Sequence, residues 1–184
     1  MILPVFAYGS AVLRKIAKDI NEDHEGLSEL IENMFETMES SDGVGLAAPQ
    51  IGKSVRLFII DATPLAEDDP QLDGFKKIFI NAHIVEHKGE EWEFNEGCLS
   101  IPGIREDVSR KPEIKIEYYD ENWDFHEETY DGIKARIIQH EYDHLDGILF
   151  TDKVSPLRKR ILKNRLGSIT KGKVEVAYKM KFPK

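Results

Sequence analysis

The chain has 184 residues, 41% of them hydrophobic and 32% charged, with a net charge of −9. This is the composition of an ordinary globular protein and predicts one domain, residues 1–184, burying roughly 70% of its unfolded surface. It contains no apolar run of about 18 residues, so no membrane-spanning helix is expected, and Met1–Ser10 lacks the basic, apolar and small-residue order of a signal or transit peptide. Cys98 is the single cysteine; it can form no internal disulfide, which fits a reducing cytoplasm.

The first organised stretch is residues 24–40. Leu27, Leu30, Ile31, Met34, Phe35 and Met38 recur at helical spacing, with Glu25, Glu29, Glu32, Glu36 and Glu39 on the other side. This predicts an amphipathic helix packed on the core and ended by Ser40-Ser41-Asp42-Gly43. Gly43-Val44-Gly45-Leu46-Ala47-Ala48-Pro49-Gln50 follows, with glycines and small residues that let backbone approach a neighbour closely. It lacks the Lys-Ser/Thr ending of a phosphate loop, and by itself reads as a tight turn. Val55–Ile60 is an apolar strand. Residues 61–76, rich in Asp, Pro and Gly, are expected to form an exposed loop without chemistry.

Strands are predicted at Ile78–Asn81, Ile84–His87 and Glu91–Phe94. Glu113–Tyr119 alternates cleanly and pairs with residues 123–127 across Asp120-Glu121-Asn122 as a hairpin. His83, His87 and His126 stand singly and read as surface or hydrogen-bonded histidines. Cys98 lies in Asn95-Glu96-Gly97-Cys98-Leu99-Ser100. A lone cysteine is ordinarily a small buried hydrophobe. Flanked by Gly97 and polar residues, it is also a candidate thiolate ligand.

The next helix is predicted from Asp131 to Asp146, stopped by Gly147. At about 100° per residue, Ile133, Ile137, His140 and His144 share one narrow face. Two imidazoles at i and i+4 can bind one metal ion, and Glu141 beside the first can act as general base toward water on that ion. A catalytic site of this kind ordinarily has three protein ligands and one open position. Cys98 would complete the set. A zinc endopeptidase, which shares His-Glu-x-x-His, would take its third ligand downstream, where residues after Asp152 offer only Glu175 and no histidine.

Residues 153–184 carry 11 Lys/Arg and one acid, a net charge of +10 that leaves −19 on the remainder. Pro156–Leu166 is predicted as a basic amphipathic helix with Leu157, Ile161 and Leu162 apolar, and Val174–Tyr178 as a last strand. The basic segment fits either a nucleic-acid surface or a solvated face balancing its own acidic body. A non-catalytic metal-stabilised module docking on RNA through this segment is a further reading.

Three segments together resemble the peptide deformylase family: Gly43–Gln50, Glu96-Gly97-Cys98-Leu99-Ser100 and Gln139-His140-Glu141-Tyr142-Asp143-His144, in that order. Tyr8–Ala17 is similar to its N-terminal region, and the likeness extends to about Pro156. The resemblance implies an α+β fold of antiparallel sheets packed around a central metal-binding helix, with an N-terminal helix and a basic C-terminal segment. It implies removal of the formyl group from the N-terminal formyl-methionine of new polypeptides. Cys98, His140 and His144 would be the metal ligands, Glu141 the base, and the Gln50 amide and Leu99 N–H the oxyanion donors. Gly45 would hold peptide backbone, Val44, Ile133 and Ile137 would line a methionine pocket, and Arg105 would lie near the substrate. The expected ion is Fe(2+), with Zn(2+) or Ni(2+) as substitutes. The implied partners are N-formyl-methionyl nascent peptides and, through the basic segment, the ribosome; no membrane is involved.

Overall fold

Residues 1–183 are described by a computed structural model. The elements run β1 (Val5–Phe6), α1 (Leu27–Glu39), β2 (Gly45–Ala47), β3 (Leu57–Asp61), β4 (Lys76–Lys88), β5 (Trp92–Cys98), β6 (Ile101–Arg110), β7 (Glu113–Tyr119), β8 (Phe125–Asp131), α2 (Gly132–Leu145), α3 (Pro156–Thr170) and β9 (Met180–Lys181). This is a mixed α+β architecture. The largest sheet is antiparallel in the order β2-β3-β4-β7-β8, and β5-β6 forms a separate antiparallel hairpin. Among the described residues no helix is long and apolar enough to cross a membrane.

Helix α2 lies between these two sheets. Ala135, Ile138 and Leu145 are fully buried in one cluster with Phe58, Phe79 and Tyr118 of the large sheet. Burying Ile138 or Leu145 contributes about 1.5–3 kcal/mol each. The helix presents Arg136 and His140 to the β5-β6 hairpin. It ends where Gly147 takes φ 71°, and a Cβ there would meet the Arg14 carbonyl oxygen at 2.7 Å. Helix α1 buries Leu27, Ile31, Met34 and Met38 against the outer face of β2 and β3, as its periodicity requires.

Four expectations are corrected. The strands expected at Ile78–Asn81 and Ile84–His87 are one thirteen-residue strand, β4, with register shifts on either side of His83 and Ile84. A bulge bends a strand without ending it. Asn81 adopts φ 52°, and its amide exchanges two hydrogen bonds with the Ile20 backbone, at 2.9 and 2.7 Å. Strand β6 was not anticipated, because Pro102 and Gly103 near its start mask an alternation that buries Ile101, Ile104 and Val108. Residues 61–76 are not simply an exposed loop: two 3-10 turns fold Leu72 and Phe75 into the core.

The fourth correction concerns the C-terminal part. Helix α3 continues to Thr170 and buries Leu162, Leu166 and Ile169, leaving Leu157 and Ile161 exposed. Val174–Tyr178 forms no strand; the ladder lies further on, where β9 pairs parallel with β1.

Asn81→Ala removes both hydrogen bonds and places a Cβ-bearing residue without side-chain support in the left-handed region. It should destabilise the protein by about 2–3 kcal/mol in urea unfolding. Asn81→Gly should recover only the backbone part, about 1 kcal/mol.

Candidate active site

The inward face of α2 brings Ile133, Ile137 and His140 to the wall of a cleft of about 690 Å³, while His144 on the same face is fully buried and meets the cleft-lining Cys98 through its Nε2. Cys98 enters from the end of β5, where the chain turns through Leu99-Ser100 into β6. The donor atoms of Cys98, His140 and His144 all lie within 4.8 Å of one another, with Cys98 Sγ 3.4 Å from His144 Nε2. A tetrahedral ion at ordinary metal–sulfur and metal–nitrogen distances separates two such ligands by about 3.5 Å. The donor set therefore fits one divalent cation in chemistry and in spacing.

What holds His140 in this orientation is Glu96. Its carboxylate accepts from Arg110 Nε at 2.7 Å and Nη2 at 2.9 Å, from Arg136 Nη1 at 2.9 Å, and from His140 Nδ1 at 2.8 Å. Arg110 extends the network to Asp143 at 2.7 Å. Burial pushes the Glu96 carboxyl up, but the Arg110 and His140 hydrogen bonds outweigh it and hold the group well below the usual carboxylate range. An ionised Glu96 accepts only, so His140 Nδ1 carries the proton and Nε2 is left as the donor atom toward Cys98 and His144. Burial works against protonation of both rings. In His140 the hydrogen bonds to Cys98 and Glu96 overcome it, whereas in His144 the charges of His140 and Arg110 add to it.

Glu141 is 5% exposed, not a surface residue, and its Oε2 has no protein hydrogen-bond partner. It packs against β2 so closely that a Cβ at Gly45 would lie 2.5 Å from Oε1. The glycine at 45 is what gives this carboxylate its place. From the protein's own charges, burial pushes the Glu141 carboxyl up to about 7, with His140 and Arg110 opposing and Glu96 and Asp143 adding. A carboxyl in that range can take and return a proton near neutral pH.

Gln50 sits in a 3-10 turn, Ala48–Ile51, after β2. Its Oε1 accepts from the Ala47 N–H at 2.8 Å, which points Nε2 at Cys98 Sγ, 3.4 Å away, and Ser100 Oγ, 3.3 Å away. Val44, Gly45 and Leu99 line the cleft, as does Arg105, which is braced on Asn95 at 2.8 and 2.9 Å. Leu65, from the segment expected to be chemically silent, also forms part of the wall.

The sequence reading gave no role to Glu96, Arg110, Arg136, Asp143, Ser100 or Tyr178. Glu96 stands in a quoted motif, but its partners lie 14, 40 and 44 residues away, beyond any local pattern. Arg110 ends β6 on its inward-facing side, a placement that shows only once β6 is paired with β5.

An α+β fold carrying a Cys/His/His donor set beside a buried, unpaired glutamate is the architecture of a metal-dependent hydrolase. The model of the polypeptide deformylase family matches residues 2–160. The peptide deformylase of Christiangramia forsetii is 59% identical over 100% of this chain and 97% of its own length. That of Flavobacterium johnsoniae is 53% identical over 99% and 96%. Among solved structures, the peptide deformylase from Thermotoga maritima superposes with a TM-score of 0.76 at 39% identity, covering 85% of this chain and 99% of its own. One from Legionella pneumophila gives 0.80 at 37%, covering 93% and 96%. The chain belongs to the polypeptide deformylase family.

Glu96→Gln keeps the shape and removes the charge that fixes His140. It should weaken metal binding about 10–100-fold, read as metal retained against a competing chelator, with the fold checked by circular dichroism.

Proposed function

We propose that the protein is a metal-dependent amide hydrolase that removes the formyl group from N-formyl-methionyl nascent peptides, releasing formate and a free amine. The observation that carries this reading is the buried Glu141 carboxyl, with an oxygen free of any protein partner, beside a donor set closed by Cys98. Cys98, His140 and His144 would hold one divalent cation. Fe(2+) is the ion the family resemblance implies, and Zn(2+) or Ni(2+) can occupy such ligands at least as tightly. When bound, the cation supplies Lewis acidity and makes water acidic enough to serve as a nucleophile near neutral pH.

The protein's own groups do the rest. Glu141 takes the proton of the attacking water and delivers a proton to the nitrogen as the carbon–nitrogen bond breaks. Gln50 Nε2 and the Leu99 N–H donate to the formyl oxygen as it gains charge. For Gln50 this means releasing the long contact to Cys98 Sγ. Gly45 backbone and Arg105 hold the peptide chain, while Val44, Ile133 and Ile137 receive the methionine side chain. The protein works as one domain in the cytoplasm, with residues 153–184 as its basic C-terminal part and α2 as the metal-binding helix.

A zinc endopeptidase of the His-Glu-x-x-His class would need a downstream third ligand. Glu175, the acid after Asp152, lines the cleft but is not part of the donor group. A non-catalytic module would have no use for a buried, unpaired carboxylate at this position, since such a group costs stability.

Formate release from a formyl-methionyl peptide, with the unformylated peptide as control, should be metal-dependent under reducing, anaerobic conditions. Gln50→Ala should raise the barrier by about 3 kcal/mol, roughly 100-fold in turnover. Glu141→Ala should retain the metal and lose turnover at least as severely; near-normal formate release from it would remove the assigned base.

The basic C-terminal part is proposed to contact the ribosome. Arg158 is already committed to Glu106, at 2.6 and 2.8 Å, so the exposed Lys159, Arg160 and Lys163 are the residues that would engage RNA phosphates. Neutralising these three should weaken co-sedimentation with ribosomes and reduce its salt dependence. Unchanged pelleting would discard the contact.

A further inference from the structure

Residues 174–182 lie beyond the part of the chain matched by the family model, yet Glu175, Val176 and Tyr178 line the same cleft as Cys98 and Leu99. Along this segment Val174, Val176, Tyr178, Met180 and Phe182 are half-buried in alternation with exposed residues. The strand period is present, but the segment packs by side chains before it pairs by backbone. Its far end is tied down where the Val5 and Ala7 N–H groups each donate at 2.9 Å, to the Lys179 and Lys181 carbonyls.

Within this segment the Tyr178 hydroxyl donates to the Leu99 carbonyl at 2.7 Å. The turn from Cys98 to Ser100 is thereby gripped from three directions. Tyr178 holds the Leu99 carbonyl, the Tyr8 N–H holds the Ser100 carbonyl at 2.8 Å, and Gln50 Nε2 reaches Cys98 Sγ and Ser100 Oγ. The backbone on either side of Leu99 has two soft torsions per residue. Fastening the Leu99 carbonyl holds the Leu99–Ser100 peptide plane; the Leu99 N–H, in the preceding plane, is joined to it through the two Leu99 torsions, so its range of directions is narrowed. A donor acts on developing charge only if it is already aimed when the charge forms.

We infer that Tyr178 is a positioning residue of the deformylation reaction, its hydroxyl fastening the Leu99 turn so that the Leu99 N–H meets the formyl oxygen. This rests on the role proposed above for Leu99. It gives the C-terminal segment a task in the site itself, separate from the charges carried by α3.

The test is Tyr178→Phe in the full-length, metal-loaded protein. Phenylalanine keeps the ring and its packing and deletes only the hydroxyl. The expected result is a roughly three- to ten-fold lower kcat on a formyl-methionyl peptide, with KM unchanged, because the lost hydrogen bond acts on the transition state through Leu99. Hydrogen exchange of the Leu99 amide should quicken in the same sample. An unchanged kcat overturns the inference, whether or not the melting temperature falls, since a purely structural hydroxyl would move stability alone. A raised KM with normal kcat also overturns it, in favour of direct contact between Tyr178 and the peptide. Should the wild-type protein release no formate, the proposed activity itself fails, and exchange at Leu99 still decides whether Tyr178 fastens the turn.

Discussion

The site depends on one buried carboxylate, Glu96, and on the completeness of its hydrogen bonding. Taking an ion out of water costs several kcal/mol, and the cost is recovered only where each charge is met with good geometry. Here two guanidiniums, Arg110 and Arg136, face two carboxylates, Glu96 and Asp143, in a set linked at 2.7–2.9 Å. The groups come from β5, β6 and α2, so their bonds also fix how the hairpin sits on the helix. Cys98 is two residues along β5 from Glu96, and His140 is bonded to it directly. The position of one carboxylate thus sets two of the three donor atoms relative to each other.

The same surroundings give a second carboxylate the opposite property. Glu96 and Glu141 are both 5% exposed and lie in one cleft wall. Glu96 is held ionised by arginine and histidine donors, whereas Glu141 has an oxygen without a partner and is pushed up to about 7 by burial. Divergent environments for neighbouring acids are how one site obtains both a fixed charge and a proton carrier. The fixed charge of Glu96 orients the His140 ring, while the Glu141 oxygen is left without a protein partner. Gly45 matters because the missing side chain leaves room for the carboxylate where any Cβ would collide with it.

How much of this was legible in the sequence follows from the range of each interaction. The stripe of Ile133, Ile137, His140 and His144 is a consequence of helical period, and the structure puts the first three on the cleft wall and His144, fully buried, against Cys98. Cys98 stood out by its flanks. Glu96 and its arginines did not, because their meaning arises only when the unanticipated β6 is paired with β5 and α2 is packed on that hairpin. Strand β6 was hidden by a proline and a glycine at its start, although its later residues alternate. The acidic segment 61–76 looked exposed by composition, yet Leu72 and Phe75 carry enough apolar area to be drawn into the core. In α3 the apolar residues Leu157, Ile161 and Leu162 are legible, but only Leu162 faces inward, where Leu166 and, beyond the predicted end, Ile169 continue the buried stripe.

Residues near both ends of the described chain meet at the turn from Cys98 to Ser100. β1 and β9 form a two-residue parallel ladder; just past it the Tyr8 N–H reaches Ser100, while Tyr178, just before β9, reaches Leu99. Such a short ladder is weak by itself, and terminal segments ordinarily have the lowest local stability of a fold. Here it is backed by side chains: Met180 and Phe182 pack on the cluster that contains Ile101, Leu149 and Phe150. Part of the basic charge of this region is likewise spent at home, with Arg158 on Glu106 and Arg165 on the Gly103 carbonyl. Both contacts fasten α3 to β6, the strand that leaves the Cys98 turn. The C-terminal part is therefore tied to the core in part through the strand and the turn that carry Cys98, so contacts that order it also brace the backbone around that residue.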